Sequence, residues 1–192
     1  MASKYKHYGK KVEDEYHMGS MKWALDFGLS NEDATVFSMA NVDVDRYLGE
    51  NGSCPKWIPF IGGRPELHFN TSDIKGSYGT EHDTRIINAR DYLQKAIKIK
   101  DENKTLSLEY LGISAHCLQD VAFHTDDVVR KIIWYFHSPW KVDDFRSRPL
   151  SCLVLAEFYT KQILEMWSHN SYAQDSKIWN ISNIVCYMEK KP

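Results

Sequence analysis

The sequence lacks a long hydrophobic run, an excess of charge of one sign and any closely spaced cysteine pair. No apolar stretch approaches the roughly 20 residues that cross a bilayer, which argues against a transmembrane segment. The formal charge is −2, from 24 basic and 26 acidic residues. This balance gives no electrostatic basis for a general nucleic-acid surface.

The cysteines are few and widely separated. There are four, at Cys54, Cys117, Cys152 and Cys186. Without a CxxC pair they fit neither a zinc knuckle nor a dense disulfide framework. We therefore expect small buried thiols in a reducing compartment.

The sequence does not begin like a signal peptide. Its basic first residues are followed by Glu13, Asp14 and Glu15 and not by an apolar stretch, so no signal peptide is predicted. This favours a cytoplasmic protein, or a secreted one if a leader has been removed.

Strand-like alternation is scarce, and helical spacing of apolar residues dominates. A chain of 192 residues is long enough for one domain with a hydrophobic core, so we predict a single domain over residues 1–192. Helices are expected over 18–29, 30–40, 86–97, 106–121, 128–136 and 149–167, with a short helix or strand over 178–188. A long irregular segment, rich in Gly, Pro, Asn and Ser, is expected near 41–79. The predicted fold is an all-α bundle of about six or seven helices.

The helix expected over 106–121 is apolar on most of its circumference, as a central helix is. His116 and Asp120 lie on it, and His124 follows at the same interval of four, so that neighbouring members share one face if the helix continues to His124. An imidazole and a carboxylate at that spacing can bind one metal ion. His116 and His124 are about 12 Å apart along a straight helix, whereas zinc–ligand bonds are about 2 Å. If all three are ligands, two ions are expected, with Asp120 between them. The alternative is a hydrogen-bonded His–Asp pair without metal.

Further candidates lie outside this helix. Asp43 and Asp45 offer two carboxylates, and His68 lies between apolar neighbours. His17 falls at the start of the first predicted helix, and His137 precedes a Ser-Pro pair. Each alone is also typical of a turn or surface residue, and only the fold can bring them together.

These residues together resemble the zinc-dependent phospholipase C family, which includes fungal single-strand nucleases. The resemblance runs from about His17 to His137. Its best stretch, Leu108–His124, looks like the family's Tyr-Leu-Gly…His-x-x-x-Asp…His helix. Val42–Asp45 and Glu66–Phe69 resemble its Asp-x-Asp and Asp-His-Phe segments, and Tyr16–Met18 resembles its amino-terminal helical histidine.

The resemblance implies an all-α fold that holds one to three zinc ions. In this resemblance the ligands of the first zinc ion correspond to Asp43, His68, His116 and Asp120. Asp120 also corresponds to a ligand of the second ion, together with His17. The ligands of the third ion correspond to His124 and His137. The implied activity is hydrolysis of a phosphoester, on a lipid head group, nucleotide or other small molecule, by a metal-activated water. Asp43 and Asp120 would be its catalytic carboxylates, Asp43 also orienting the water.

The sequence departs from the family at three points. The family's amino-terminal Trp is missing, since the first Trp is Trp23, and His7 is the possible substitute. The gap before the last histidine of the central motif is shorter than usual. Lys141 stands where the family has Glu, with Asp143 or Asp144 as alternative ligands.

Two other hypotheses remain open at this point. One is a helical metal-binding protein of the same fold that has lost or altered the chemistry. The other is an HD-type phosphohydrolase, suggested by the adjacent His82 and Asp83, although these polar residues also suit a helix start.

Overall fold

The chain is all-α in every part that the structure describes. A computed structural model describes residues 15–47, 67, 72–74, 77, 79–123, 150–172 and 177–180. The helices in these ranges are α1 (Glu15–Phe27), α2 (Asn31–Tyr47), α3 (Thr84–Ile99), α4 (Lys104–Phe123) and α5 (Leu150–Ser168), followed by a 3₁₀ turn at Lys177–Trp179. The predicted fold class is therefore confirmed. The helix expected over 128–136 lies outside the described residues, so the count of six or seven stays a prediction.

The junction between α1 and α2 follows from its local sequence. Gly28 takes a positive φ of 106°, a conformation that glycine adopts without strain. The N–H of Leu29 then donates to the carbonyl of Ala24 at 3.0 Å, which closes a Schellman-type helix end. Ser30 Oγ accepts a bond from the N–H of Asp33 at 3.1 Å, so Ser30 caps α2, and a serine three residues before an acidic residue is a sequence pattern typical of a helix start.

The second helix is longer than the sequence pattern indicated. Residues 41–47 were expected to begin the irregular segment, but they continue α2 to Tyr47. Asn41, Val42 and Val44 are buried in this extension. The prediction was wrong here because tertiary burial outweighs the modest helix propensity of Asn, Asp and Val.

The bundle is built around α4, as its apolar circumference predicted. Helices α2, α3 and α5 all pack against it. Its residues 114–122 are all buried, and its Leu108, Leu111 and Leu118 belong to the hydrophobic core. This arrangement places every polar side chain in that stretch of α4 inside the protein, where it needs a polar partner.

Gly112 marks the closest approach between α2 and α4. A Cβ atom on Gly112 would lie 2.3 Å from the carbonyl oxygen of Phe37 and 2.9 Å from the Cβ of Ala40. The two backbones can meet at this distance because glycine has no side chain. His116, one turn further along α4, is thereby held beside α2.

Lys100 joins the end of α3 to the end of α5. Its Nζ donates to the carbonyls of Trp167 at 2.8 Å and Ser168 at 3.0 Å, and to Oδ1 of Asn170 at 3.1 Å. The ammonium also lies 4.4 Å from the centre of the Trp167 ring. A cation at a helix carboxyl end satisfies the last carbonyls and complements the helix dipole.

Replacing Lys100 with methionine should therefore lower the free energy of unfolding by about 1–2 kcal/mol, since the substitution removes charge-assisted bonds and keeps most of the apolar stem. Urea denaturation would measure the change. Lys98→Met, at an exposed position in the last turn of α3, is the matched control and should change stability by less than about 0.5 kcal/mol. Equal effects of the two substitutions would contradict a capping role.

Candidate metal site

His116 and Asp120 meet on α4 as their spacing predicts. The Nε2 atom of His116 lies 3.1 Å from Oδ2 of Asp120, and their side chains are 0% and 1% exposed. Residues four apart lie one turn from each other on the same face of a helix. The packing of α2 and α3 around α4 then removes both groups from water. The sequence correctly predicted that these two side chains face each other.

The separation of the two atoms fits a pair of ligands on one zinc ion. Two ligand atoms bound tetrahedrally at about 2.0 Å are about 3.3 Å apart. The observed 3.1 Å requires only a small adjustment to reach that spacing. The same distance also fits a direct hydrogen bond, so the geometry is compatible with both predicted arrangements.

Asp43 lies on α2 instead of in a loop, and its side chain is half-buried. It is two residues, or about 200° around the helix, from Asn41. Asn41 faces α4, where its Nδ2 donates to Oε1 of Gln119 at 3.1 Å. Asp43 therefore belongs to another face of α2. Among the described residues, no three His, Cys, Asp or Glu side chains come together as a metal-binding group. The role of Asp43 as a ligand stays a prediction.

The remaining predicted ligands cannot be placed by side chain. The backbone of His17 belongs to α1, but its side chain is not among those described. His68, His124 and His137 lie outside the described residues. The described part of the site is thus the pair on α4 and the groups around it.

A buried ion pair next to Asp120 was not predicted. Arg85 is 1% exposed and Asp83 is 0% exposed. Arg85 Nη2 lies 2.7 Å from Asp83 Oδ2, and Arg85 Nε donates to Asp83 Oδ1 at 3.0 Å. Arg85 Nη1 also donates to the main-chain carbonyl of Asp120 at 3.1 Å. The guanidinium thus links the start of α3 to the residue that carries the candidate metal ligand.

Asp83 has a second role at the same place. It is the N-cap of α3, and its Oδ1 accepts the N–H of Arg85 at 3.0 Å. Its Oδ2 accepts the N–H of Gly79 at 2.9 Å. The neighbouring His82 is exposed and lies 3.7 Å from a carboxylate oxygen of Glu81. His82 and Asp83 therefore face different surroundings, and the helix-start role is favoured over an HD-type metal pair.

A chain of buried amides crosses the bundle beside His116. Oε1 of Gln119 accepts the bond from Asn41, and Nε2 of Gln119 donates to Oγ1 of Thr160 at 2.9 Å. Thr160 in turn donates to the carbonyl of Ala156 at 2.7 Å. These bonds join α2, α4 and α5 and fix the amide orientation of Asn41. In the described structure its Oδ1 is buried without a hydrogen-bond partner.

Cys117 is buried, as expected for a small core thiol, whereas the side chains of Cys54, Cys152 and Cys186 are not among those described. Within the described ranges, no helix combines the length and apolarity needed to cross a membrane.

Comparison of the sequence with known protein families, with curated proteins and with solved structures finds no match. The resemblance to the zinc-dependent phospholipase C family therefore rests on the motif residues alone.

Proposed function

We propose that the protein is a zinc-dependent phosphoester hydrolase whose metal site is centred on His116 and Asp120. The observation that carries the proposal is the fully buried His–Asp pair, 3.1 Å apart, on the central helix. The substrate class is a small-molecule or lipid phosphoester. The other proposed ligands are His17, Asp43, His68, His124 and His137, which would complete a site for one to three ions.

The charges around the pair support a cation at this position. Asp83 and Arg85 neutralise each other, so together they add no net charge to balance the Asp120 carboxylate. A buried carboxylate without a compensating charge is costly. A metal ion bound by His116 and Asp120 would supply such a charge. A metal ion does so while leaving His116 neutral, which is the form that ligates metal.

The residues of the chain have distinct tasks in this proposal. His116 provides a neutral nitrogen ligand, and Asp120 provides a negative oxygen ligand that reduces the net charge of the site. The packed walls of α2, α3 and α4 exclude bulk water and strengthen electrostatic interactions within the site. When bound, zinc would supply Lewis acidity, which lowers the pKa of a water molecule and stabilises charge on phosphoryl oxygens.

The complete burial of the pair favours a second candidate. A catalytic zinc keeps one position open to water and substrate, whereas a structural zinc is closed by four protein ligands. With side-chain exposures of 0% and 1%, His116 and Asp120 also suit a closed site. The second candidate is thus a helical metal-binding protein of the same fold without the hydrolytic chemistry.

Metal content per chain tests the proposal most directly. Elemental analysis of the purified protein should find one to three zinc ions, and Asp120→Asn should lose at least one of them. The carboxamide lacks the negative charge and binds zinc more weakly. Turnover of an activated phosphodiester such as bis(p-nitrophenyl) phosphate should disappear together with the metal. Asp91→Asn, an exposed carboxylate on α3, is the matched control and should retain both.

Each alternative gives a distinct outcome. A wild-type protein that binds no zinc, even after incubation with the ion, excludes both metal hypotheses. One tightly bound zinc without turnover supports the structural site. Zinc binding should also stabilise the fold, by about 2.7 kcal/mol at a free zinc concentration 100 times the Kd.

A further inference from the structure

Arg90 on α3 holds a half-buried guanidinium against two aromatic side chains from the segment after α5. Its Nε donates to the hydroxyl of Tyr172 at 2.8 Å. Its Cζ lies 5.9 Å from the centre of the Trp179 ring, and the rings of Tyr172 and Trp179 are 6.0 Å apart. Trp179 is buried, so a fixed aromatic surface supports the guanidinium. These contacts restrict the directions in which the other N–H groups of Arg90 can point.

The charge of Arg90 is not balanced by a carboxylate in the part of the chain that the structure describes. Arg85 pairs with Asp83 at 2.7 Å, and Lys104 pairs with Asp33 at 2.6 Å. The partners of Arg90 are instead a neutral hydroxyl and an aromatic face. Both stabilise a cation less than an anion does. This position therefore favours the binding of an anion from solution.

Arg90 and Tyr172 together have donor groups that bond no acceptor among the described residues. Nη1 and Nη2 of Arg90 form the outer end of a planar fork, which matches two oxygens of an anion. The Tyr172 oxygen accepts the bond from Nε, which leaves the hydroxyl proton free to donate. The fork and this proton are close together, because the hydroxyl lies 2.8 Å from Nε. A terminal phosphate group has an oxygen for each of these donors, whereas a carboxylate has only two oxygens.

We infer that Arg90 and Tyr172 form a binding site for a terminal phosphate group. Both Nη atoms of Arg90 and the hydroxyl of Tyr172 donate to its oxygens, while Trp179 keeps the guanidinium in place. The inference does not depend on the proposed function, since neither donor belongs to the proposed metal site. Inorganic phosphate, a soluble phosphate monoester and a lipid with a terminal phosphate all carry the same group, and the experiment separates them.

Titration of the whole chain with inorganic phosphate tests the site, with sodium chloride at matched ionic strength as the reference. Heteronuclear NMR spectra should show saturable shifts of the Arg90 Nε–H signal and the Trp179 indole signal, with a Kd on the order of 1 mM or lower. Chloride should not cause these shifts. Absence of saturable shifts with phosphate overturns the inference.

The source of the phosphate group is identified by two further ligands. Phenyl phosphate should compete with inorganic phosphate for the same signals, and failure to compete overturns the inference. Vesicles of phosphatidic acid in phosphatidylcholine are compared with vesicles of phosphatidylcholine alone by cosedimentation. Cosedimentation that requires both phosphatidic acid and Arg90 identifies a lipid head group, whereas competition without cosedimentation identifies a soluble ligand; both results support the site.

Three variants assign the binding to the proposed donors. Arg90→Met should weaken phosphate binding by at least about 100-fold, since two charge-assisted bonds are lost. Arg90→Lys should weaken it by about tenfold, because an ammonium lacks the planar fork. Tyr172→Phe keeps the ring against Trp179 and removes the hydroxyl, so it should also weaken binding by about tenfold. Wild-type affinity in either of the two conservative variants overturns the inference, and they decide the test if Arg90→Met does not fold.

Lys95→Met is the matched control. Lys95 is an exposed cation on the same helix, and its ammonium lies 4.8 Å from the centre of the Tyr92 ring. The substitution therefore removes an equal charge and a similar aromatic contact, but no fork beside a hydroxyl. It should leave phosphate affinity unchanged. An equal loss in Lys95→Met and Arg90→Met would show general attraction to a positive surface, which overturns the inference.

The proposed metal site provides a second control, because a bound zinc ion can also attract phosphate. Asp120→Asn should bind phosphate with wild-type affinity at the Arg90 site. Loss of binding in Asp120→Asn, with retention in the Arg90 variants, would place the phosphate at the metal site and overturn the inference. A protein that binds no zinc but binds phosphate through Arg90 contradicts the proposed function and supports this site.

Discussion

Replacing Gly112 with alanine should lower the free energy of unfolding by about 2–3 kcal/mol. The added Cβ would lie 2.3 Å from the carbonyl oxygen of Phe37 and 3.0 Å from the main-chain nitrogen of Asn41. Both are backbone atoms of α2, so the whole helix must move to relieve the contact. Overpacking of this kind typically costs 1–3 kcal/mol or more, and the better helix propensity of alanine returns only about 1 kcal/mol. Urea or thermal denaturation measures the change, and the melting temperature should fall by roughly 4–10 °C.

Gly19→Ala is the matched control for this prediction. Gly19 is also inside a helix, but its added Cβ would meet the side chain of Trp23 at 3.1 Å, with no backbone atom among its nearest neighbours. A side chain can adjust by a few tenths of an ångström at little cost, so Gly19→Ala should change stability by less than about 1 kcal/mol. If both variants are as stable as the wild type, then α2 does not approach α4 as closely as described.

Features whose partners lie within a few residues were predictable from the sequence. Gly28 and Ser30 end one helix and start the next through bonds to residues at most five positions away. His116 and Asp120 face each other because the helix itself sets their spacing. The central place of α4 followed from the apolar residues on all its faces.

Features that depend on distant residues were not predictable in the same way. The extension of α2 to Tyr47 is stabilised by burial against α4, and the bond from Asn41 to Gln119 joins residues 78 positions apart. The local pattern of Asn, Asp and Val favours a helix only weakly. Its stability in this segment comes from packing that a single sequence does not reveal.

Arg85, the positive group beside Asp120, is a second contact between distant residues that the local sequence pattern does not predict. No Lys or Arg lies on the face of α4 that carries His116 and Asp120, so that helix alone offers Asp120 no cationic side chain. The structure brings Arg85 from α3 to the main chain of Asp120. Hydrophobic periodicity alone does not distinguish the buried Arg85 from the half-buried Arg90 on the same helix. The available signal was Asp83, since an N-cap carboxylate two residues before an arginine can pair with it.

Removing either member of the Asp83–Arg85 pair should destabilise the protein strongly, whereas removing both should cost much less. Arg85→Met leaves a carboxylate buried without its counter-charge, which typically costs 3–5 kcal/mol. In the double variant Asp83→Asn/Arg85→Met neither charge of the pair remains. We expect it to lose about 1–3 kcal/mol, mainly because the bond from Arg85 to the carbonyl of Asp120 is lost. Urea denaturation of the wild type, both single variants and the double variant completes a double-mutant cycle, which should give a coupling energy of several kcal/mol.

The exposed pair of Glu157 and Lys161 is the control that isolates the effect of burial. Its atoms are 2.6 Å apart, as close as the 2.7 Å of the buried pair, but its side chains are 37% and 41% exposed. The same cycle with Glu157→Gln and Lys161→Met should give a coupling energy of about 0.3–0.5 kcal/mol, because water screens the charges. Similar coupling in the two cycles would contradict the burial of Arg85. A large coupling at the Asp83–Arg85 pair alone would show that burial strengthens this ion pair, from which Arg85 reaches the main chain of Asp120.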